Sequence, residues 1–431
     1  MRRKFFLLLV LTGLLSGLFS GCGVSEPSAS GERDDAAAET SELSAREAYV
    51  PAYDMEYYQR FQGQDIELNV YNWGEYLAEG QDGLMDVNAV FEELTGIHVN
   101  YTTYETNEAM YAKLKSGANN YDVIVPSDYM ISRLIQEGML QPLNFENIPN
   151  YKYIDPSFLG AEYDPGDRYS VPFAWGRVGI VYNKEALRYD VDGWDDLWNE
   201  AFSGQILMFK NSRDSFAIAL LSLGYSLNTE DKRELEEASA LLKKQKPLVQ
   251  AYVQDQIFDK MQGNEAMIAP CYVGDYIIMK EVNEDLEIYI PDPTNLYVDA
   301  LCIPSDARQK EAAEMYINFL NEPDVAADNM EYIVYSTPNT AALELLDPEY
   351  RENTLLYPEA EKLKNCEAYI HLSKETNLAM DQMWTDILGS DSTYRAWAMP
   401  AFLICAIAMI IGNTVYRKRK KQRDAADSWD D

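Results

Sequence analysis

The sequence of 431 residues is long enough for two or three domains, and its 36 basic and 71 acidic residues give a net charge of −35. Such a charge repels polyanions, which argues against nucleic acid as a partner, and it raises the local concentration of cations. The alternative is that the acidic surface only confers solubility. Five cysteines without CxxC spacing and two histidines give no sign of a metal site, and no cofactor is predicted.

The N-terminus has the pattern of a secretory signal, because the basic segment Met1–Lys4 precedes apolar residues 5–19. Small residues directly before Cys22 are similar to a bacterial lipobox. Residues 1–22 are therefore predicted to be a lipoprotein signal peptide, with Cys22 as the lipidated residue. An uncleaved signal anchor is the alternative. Residues 23–64 are rich in Ser, Glu, Asp, Ala and Pro and lack a sustained apolar period, which predicts a flexible tether.

The C-terminus contains a second apolar stretch. Residues 396–416 are nearly continuously apolar and long enough to cross a bilayer, so they are predicted to be a transmembrane helix. The basic cluster that begins residues 417–431 places this tail in the cytoplasm by the positive-inside rule. The region 65–390 is then expected on the extracytoplasmic side of the cell membrane. A buried core helix is the alternative for 396–416.

Between these ends the apolar pattern alternates between strands and helices. The first three strands and helices follow a βαβαβα order, which predicts an α/β fold with a parallel sheet covered by helices. Ligands bind at the carboxyl edge of such a sheet, where Trp73 would follow the first strand. Strands are predicted at 68–71, 97–101, 121–125, 169–175, 178–182, 205–209, 267–272, 286–290 and 296–303, and helices at 85–95, 108–116, 131–137, 194–200, 214–223, 232–244, 310–321 and 325–334.

Six short segments share their residues, order and approximate spacing with one protein family. They are Val70-Tyr-Asn-Trp-Gly-Glu-Tyr76, Tyr111-Ala-Lys-Leu114, Tyr121-Asp-Val-Ile-Val-Pro-Ser127, Tyr169-Ser-Val-Pro-Phe-Ala-Trp-Gly176, Tyr297-Val-Asp-Ala-Leu-Cys-Ile-Pro304 and Thr337-Pro-Asn339. With these segments, the region 65–370 resembles the spermidine/putrescine-binding proteins of bacterial ABC transporters.

The resemblance implies a two-lobed periplasmic-binding-protein type II fold that closes on a ligand in the cleft between its lobes. The chain would cross between the lobes twice. Lobe one would comprise about 65–174 and 299–340, and lobe two about 175–298 and 341–390.

The function implied by the resemblance is that of the receptor of a polyamine importer, which delivers the cation to permease subunits served by a separate ATPase. The sequence contains no Walker A motif, and neither histidine lies in a recognisable nucleophile context, so no enzyme activity is predicted. Three alternatives remain: the same fold with another small solute, a ligand-sensing membrane-anchored ectodomain, and an extracellular enzyme.

A polyamine is cationic at neutral pH, so each buried ammonium group needs a carboxylate, and the methylene stems need flat apolar walls. The resemblance places aromatic walls and carboxylates accordingly, and Asp299 is expected to contribute most. Core packing is the alternative for each tyrosine, and helix capping is the alternative for Asp214. The predicted ligand-binding residues are Trp73, Glu75, Tyr76, Ser127, Tyr129, Asp214, Tyr272, Asp275, Tyr297, Asp299 and Tyr335.

The sequence departs from the family pattern at three places. Gly74 stands where some members have a hydroxyl, and Asn211 stands where an aspartate can hold an amine. A glutamine expected near the end of the match has no counterpart around Tyr369. With one carboxylate fewer at position 211, a diamine such as putrescine is an alternative to the triamine spermidine.

Overall fold

The structure is a computed structural model, and it describes residues 45–117, 120–187 and 190–389. The predicted signal peptide with Cys22, most of the tether and the helix predicted at 396–416 lie outside the described residues. Within the described ranges, no helix is both long enough and apolar enough to cross a membrane.

The described residues form ten strands and fourteen α-helices. The strands are β1 Glu67–Trp73, β2 His98–Tyr104, β3 Val123–Ile124, β4 Ser170–Asn183, β5 Ile206–Phe209, β6 Val249–Val253, β7 Ile268–Tyr272, β8 Leu286–Tyr289, β9 Asn295–Cys302 and β10 Glu367–Ala368. The helices are α1 Ala45–Ala48, α2 Met55–Tyr58, α3 Val87–Thr95, α4 Asn107–Ser116, α5 Asp128–Gln136, α6 Ser212–Ser222, α7 Lys232–Gln245, α8 Gln256–Gln262, α9 Val273–Val282, α10 Lys310–Leu320, α11 Pro323–Ile333, α12 Thr340–Leu343, α13 Pro348–Arg351 and α14 Lys374–Gly389.

The helices α3 and α4 begin at side-chain caps. In α3, the Asp86 side chain accepts a hydrogen bond from the Ala89 N–H, and Gly96 ends the helix with φ of 75°. In α4, which corresponds to the helix predicted at 108–116, Thr106 is the cap and accepts from the Ala109 N–H, so Asn107 lies within the first turn and does not cap the helix. The Asn107 side chain is thereby left to hold other groups.

The first sheet region consists of β2, β1, β3 and β9 with the first half of β4. β1 is parallel to β2 from Glu67 to Trp73 and parallel to β3, in agreement with the predicted βαβαβα order. β9 then pairs antiparallel with β3 at one side and with β4 at the other. The loops that follow β1 and β3 therefore lie at the same edge of the sheet.

β4 connects this region to a second one, because its 14 residues pair with different strands along their length. Residues 170–177 pair with β9, whereas residues 178–183 pair with β7 and β8. β5 and β6 extend the second region, so that the strand order is β2-β1-β3-β9-β4-β7-β5-β6. The register of β4 against β9 shifts between Pro172 and Ala174.

Separate apolar cores lie on the two sheet regions. One contains Leu68 and Phe319 together with Leu345, and another contains Phe216 and Met380. Each region thus has the buried apolar area that an independent lobe needs. Side chains from both regions line the cleft between them.

Candidate functional site: a carboxylate-lined cleft

A narrow cavity of about 100 Å³ lies between the two sheet regions, and both regions contribute to its wall. All eleven residues predicted to bind a ligand line this cavity. The departures noted in the sequence, Gly74, Asn211 and Tyr369, line it as well. The sequence pattern did not single out the remaining lining residues, which are Asn107, Gln254, Asp255, Phe258, Ile278 and Ile333.

Trp73 ends β1 and enters the cleft at the carboxyl edge of the first sheet region. Its indole N–H donates a 2.8 Å hydrogen bond to the Val125 carbonyl oxygen. Its ring lies 4.6 Å from the Tyr104 ring at an interplanar angle of 50°. These contacts fix the orientation of the indole, so that its other surface can form a flat wall.

Asn107 holds two of the predicted residues in place. Its side-chain amide donates 3.1 Å hydrogen bonds to Ser127 Oγ and to the Tyr129 hydroxyl. The Tyr129 hydroxyl in turn donates to Glu108 Oε1 at 2.9 Å. Ser127 precedes α5 as its cap residue but forms no side-chain capping hydrogen bond, so its hydroxyl belongs to the cleft.

Asp299 lies on β9 and is only 5% exposed. The Tyr76 hydroxyl donates a 2.5 Å hydrogen bond to Asp299 Oδ2, while Oδ1 has no partner among the described residues. Burial raises the pKa of Asp299 to about 6, although the nearby Ser127 and Tyr76 hydroxyls oppose this shift. A buried carboxylate with a free oxygen favours a cationic partner, because an unpaired charge in such a place is unstable.

Asp214 is held by three donors in the first turn of α6. The Tyr272 and Tyr369 hydroxyls each donate to one of its oxygens at 2.6 Å. Asn211 is the cap residue of α6, where it accepts from the Asp214 N–H and donates to Asp214 Oδ2, both at 2.8 Å. The alternative that Asp214 caps the helix is therefore wrong. The role of Asn211 is therefore structural, since its amide caps α6 and orients the Asp214 carboxylate.

Asp275 and Glu75 form the other acidic part of the cleft. Tyr335 donates a 2.9 Å hydrogen bond to Asp275 Oδ1, and burial raises the pKa of Asp275 to about 7. Glu75 is exposed at the mouth of the cleft and accepts a 2.9 Å hydrogen bond from Tyr332. Its φ of 49° is unusual for a residue with a side chain.

A row of tyrosine rings separates Asp214 from Asp275. The centroids of Tyr272 and Tyr297 are 5.1 Å apart, and those of Tyr297 and Tyr335 are 5.9 Å apart, both in edge-on geometry. Such rings offer apolar area and π-faces to an aliphatic cation. The Tyr297 hydroxyl has no hydrogen-bond partner among the described residues.

Two glycines make room for this row. A Cβ at Gly176 would lie 2.4 Å from the Tyr297 hydroxyl oxygen, and a Cβ at Gly274 would lie 2.2 Å from Tyr335 Cδ1. Neither glycine has a positive φ, so close packing of the rings, rather than backbone conformation, requires glycine at these positions.

The charged side chains in the described cleft wall are all acidic. Its described lining includes five carboxylates, from Glu75, Asp214, Asp255, Asp275 and Asp299, and no Lys, Arg or His. An anionic ligand would need cationic side chains here. The helices α6, α8 and α9 begin at the cleft, but Asp214, Asp255 and Asp275 stand at their N-termini and disfavour an anion. In the described part of the chain, no group of three or more His, Cys, Asp or Glu residues is arranged to hold a metal ion.

The similarity of this chain to known proteins shows the class of protein to which it belongs. Residues 88–358 match the family of bacterial extracellular solute-binding proteins, and the chain belongs to this family. It is 38% identical over 303 residues to the spermidine/putrescine-binding periplasmic protein of Escherichia coli (strain K12), a match that covers 70% of this chain and 85% of that protein. The resemblance inferred from the six segments is therefore confirmed.

Solved structures support the same conclusion. A protein from Listeria monocytogenes has a TM-score of 0.71 at 38% identity, over 74% of this chain and 98% of that one. The spermidine/putrescine ABC transporter substrate-binding protein PotD from Streptococcus pneumoniae has a TM-score of 0.63 at 36% identity, over 75% and 98%. The predicted α/β fold of the periplasmic-binding-protein kind is confirmed.

Proposed function

We propose that the protein is the extracytoplasmic substrate-binding component of a polyamine ABC importer. The observation that supports this most strongly is the cleft wall, where five carboxylates surround a row of tyrosine rings and no described lining residue is cationic. An ammonium group has three N–H donors and no acceptor, so it matches carboxylate and hydroxyl oxygens. An aliphatic chain between two such groups matches the ring faces.

The residues that line the cleft come from both sheet regions, and this supports capture of the ligand by closure of two lobes. We propose a first lobe of about 65–174 with 299–340 and a second of about 175–298 with 341–390. The packing of Leu345 and Leu346 in the first core favours a second boundary slightly beyond residue 346.

Ion pairs at the edge of the cleft join the two regions. Lys210 pairs with Glu105, and Arg133 Nη1 lies 3.8 Å from Asp381 Oδ2. These contacts link the first sheet region to the second, as closure of the two lobes would require. Both pairs are partly exposed, so they assist closure weakly compared with a bound ligand.

We further propose that the receptor is tethered to the membrane by a lipid on Cys22 and by a helix at 396–416, with residues 417–431 in the cytoplasm. The bound amine would pass to permease subunits driven by a separate ATPase. The membership of the family of extracellular solute-binding proteins supports the extracytoplasmic position of the cleft. The anchors themselves rest on the sequence pattern.

Isothermal titration of the full-length protein in detergent tests the proposed ligand class. Putrescine, spermidine, spermine, lysine and glutamate are titrated in parallel at pH 8. We expect saturable binding of at least one di- or triamine and no binding of glutamate. Binding of glutamate, together with no heat from putrescine, spermidine or spermine, would overturn the proposal.

A further inference from the structure

Asp255 is a carboxylate in the cleft wall that the sequence did not single out. It lies at the cap position of α8 but forms no capping hydrogen bond. Its side chain lines the cleft together with Glu75 and Asp275. The carboxylate is thus not needed to start the helix, and its position at the cleft has another reason.

Gly74 lies close to this carboxylate on the other side of the cleft. Asp255 Oδ2 lies 3.0 Å from the place where a Cβ on Gly74 would stand. Gly74 follows β1 in the first sheet region, whereas Asp255 precedes α8 in the second. Gly74 is not among the glycines with positive φ, so the absence of a side chain, rather than the backbone conformation, admits the carboxylate.

Asp255 belongs to a different acidic group from Asp214. Asp255 is exposed at one face, and partial burial together with the charges of Glu75 and Glu105 raises its pKa, while Lys210 lowers it. Asp255 acts in turn on the pKa of Asp275. The charge of Asp214 acts instead on Asp299. The cleft therefore has two acidic ends, one at Asp214 and Asp299 and one at Asp255, Asp275 and Glu75.

A further acceptor lies beside Asp255. Gln254 also lines the cleft, and its buried Oε1 has no hydrogen-bond partner among the described residues. Such an oxygen needs a donor. An ammonium group at this end would find acceptors in Asp255, Gln254 and Glu75, which matches its three N–H donors.

We propose that Asp255, admitted by Gly74, binds a terminal ammonium group of a triamine and thereby selects a triamine over a diamine. This inference rests on the proposed polyamine-binding function. Two amines are neutralised by the Asp214 and Asp299 end and the tyrosine row, and a third amine reaches Asp255. Because Gly74 and Asp255 come from opposite sheet regions, this part of the site is complete only when the cleft is closed.

The test compares spermidine and putrescine binding to the full-length protein by isothermal titration, in wild type and in Asp255→Ala, Gly74→Ala and the double variant. We expect Asp255→Ala to weaken spermidine binding by about 10- to 100-fold, the range of one hydrogen bond to a charged group, and putrescine binding by less than about threefold. Gly74→Ala should weaken spermidine binding less. The double variant should resemble Asp255→Ala, because the displaced carboxylate is already absent.

Asp259→Ala is the matched control, since it removes the same charge from an exposed position on the same helix and does not line the cleft. Its amine affinities should be unchanged. Thermal unfolding should show that Asp255→Ala folds normally, and Asp255→Asn repeats the test with the shape retained. An unchanged ratio of spermidine to putrescine affinity in both variants overturns the inference, as does a wild type that binds only putrescine. A wild type that binds no amine overturns the proposed function instead.

Discussion

The Tyr272 hydroxyl donates a 2.6 Å hydrogen bond to Asp214 Oδ2, across the interval between β7 and α6. The bond joins an aromatic wall of the cleft to one of its carboxylates. Tyr369 supplies a second such bond to the other oxygen of Asp214. The charge and the walls of the site are thus held by the same side chains.

Tyr272→Phe tests the importance of this bond, because it keeps the ring and removes the donor. We expect the binding free energy of the preferred amine to weaken by about 1–2 kcal/mol, since Asp214 loses a charge-assisted hydrogen bond and its fixed orientation. Isothermal titration measures the change. Tyr289→Phe, on β8 and outside the cleft lining, is the control and should bind as wild type does. Equal affinity for Tyr272→Phe and wild type would contradict the assigned role of the hydroxyl.

Asp299→Asn should have a larger effect on binding. The substitution leaves a buried ammonium group without its carboxylate, which costs about 3–5 kcal/mol of binding free energy. Asp306→Asn removes the same charge from an exposed position and is the control. Because burial disfavours the charged form of Asp299, the unliganded Asn variant should unfold at a temperature equal to or above that of wild type at pH 8. Reduced stability with intact affinity would argue for a structural role.

Amine affinity should rise with pH between 5 and 8. Burial raises the pKa of Asp299 to about 6 and that of Asp275 to about 7, so both are partly protonated near pH 6 without ligand. A bound ammonium group requires the charged carboxylates, and binding at pH 6 therefore releases protons. Titrations in two buffers of different ionisation enthalpy should show proton release at pH 6 and little at pH 8. The same heat in both buffers at pH 6 would be inconsistent with these carboxyls binding the amine.

The same groups have the opposite effect on the stability of the unliganded protein. The folded protein holds protons that the unfolded chain loses near its lower carboxyl pKa of about 4. The contribution of Asp299 and Asp275 to stability is therefore complete below pH 4 and is lost as pH rises to about 7. The increase in unfolding temperature caused by the amine should consequently grow from pH 5 to pH 8.

Gly176 does not line the cleft, but Gly176→Ala should disturb the cleft through Tyr297. The added Cβ would lie 2.4 Å from the Tyr297 hydroxyl oxygen and 2.8 Å from its Cζ, so the ring has to move. Overpacking of this kind costs about 1–3 kcal/mol, and we expect a loss of amine affinity together with a lower unfolding temperature. Gly193→Ala is the control, because nothing lies within 4 Å of its Cβ position. Unchanged binding in Gly176→Ala would show that the ring is not held by this contact.

The strongly patterned elements could be predicted from the sequence, whereas the length of β3 and the weakly patterned elements β6 and α9 could not. The helix expected at 85–95 is α3, but only Val123–Ile124 of the strand expected at 121–125 is paired as a strand. β6 went unpredicted, since its exposed and partly buried residues do not alternate regularly. α9 also went unpredicted, because Gly274 in its first turn disfavours a helix; in the structure, Tyr335 packs where a side chain on Gly274 would be.

The candidate site could be predicted where its residues lie in segments that resemble the family, as Trp73 and Asp299 do. Asp255 could not, because no periodicity or spacing distinguishes it from the other 70 acidic residues. Its place in the cleft depends on Gly74, which lies 181 positions earlier and meets it only after both sheet regions have formed. A contact between distant segments leaves no trace in a single sequence.

The continuity of β4 has a mechanical consequence. One strand pairs in both sheet regions, so a rotation of one region against the other requires changes in the backbone torsions of β4. Gly176 lies in that strand and touches the Tyr297 ring, and the same bending therefore alters the width of the slot in which an amine would lie. A partner protein that separates the two sheet regions can thus release the bound amine without contacting it.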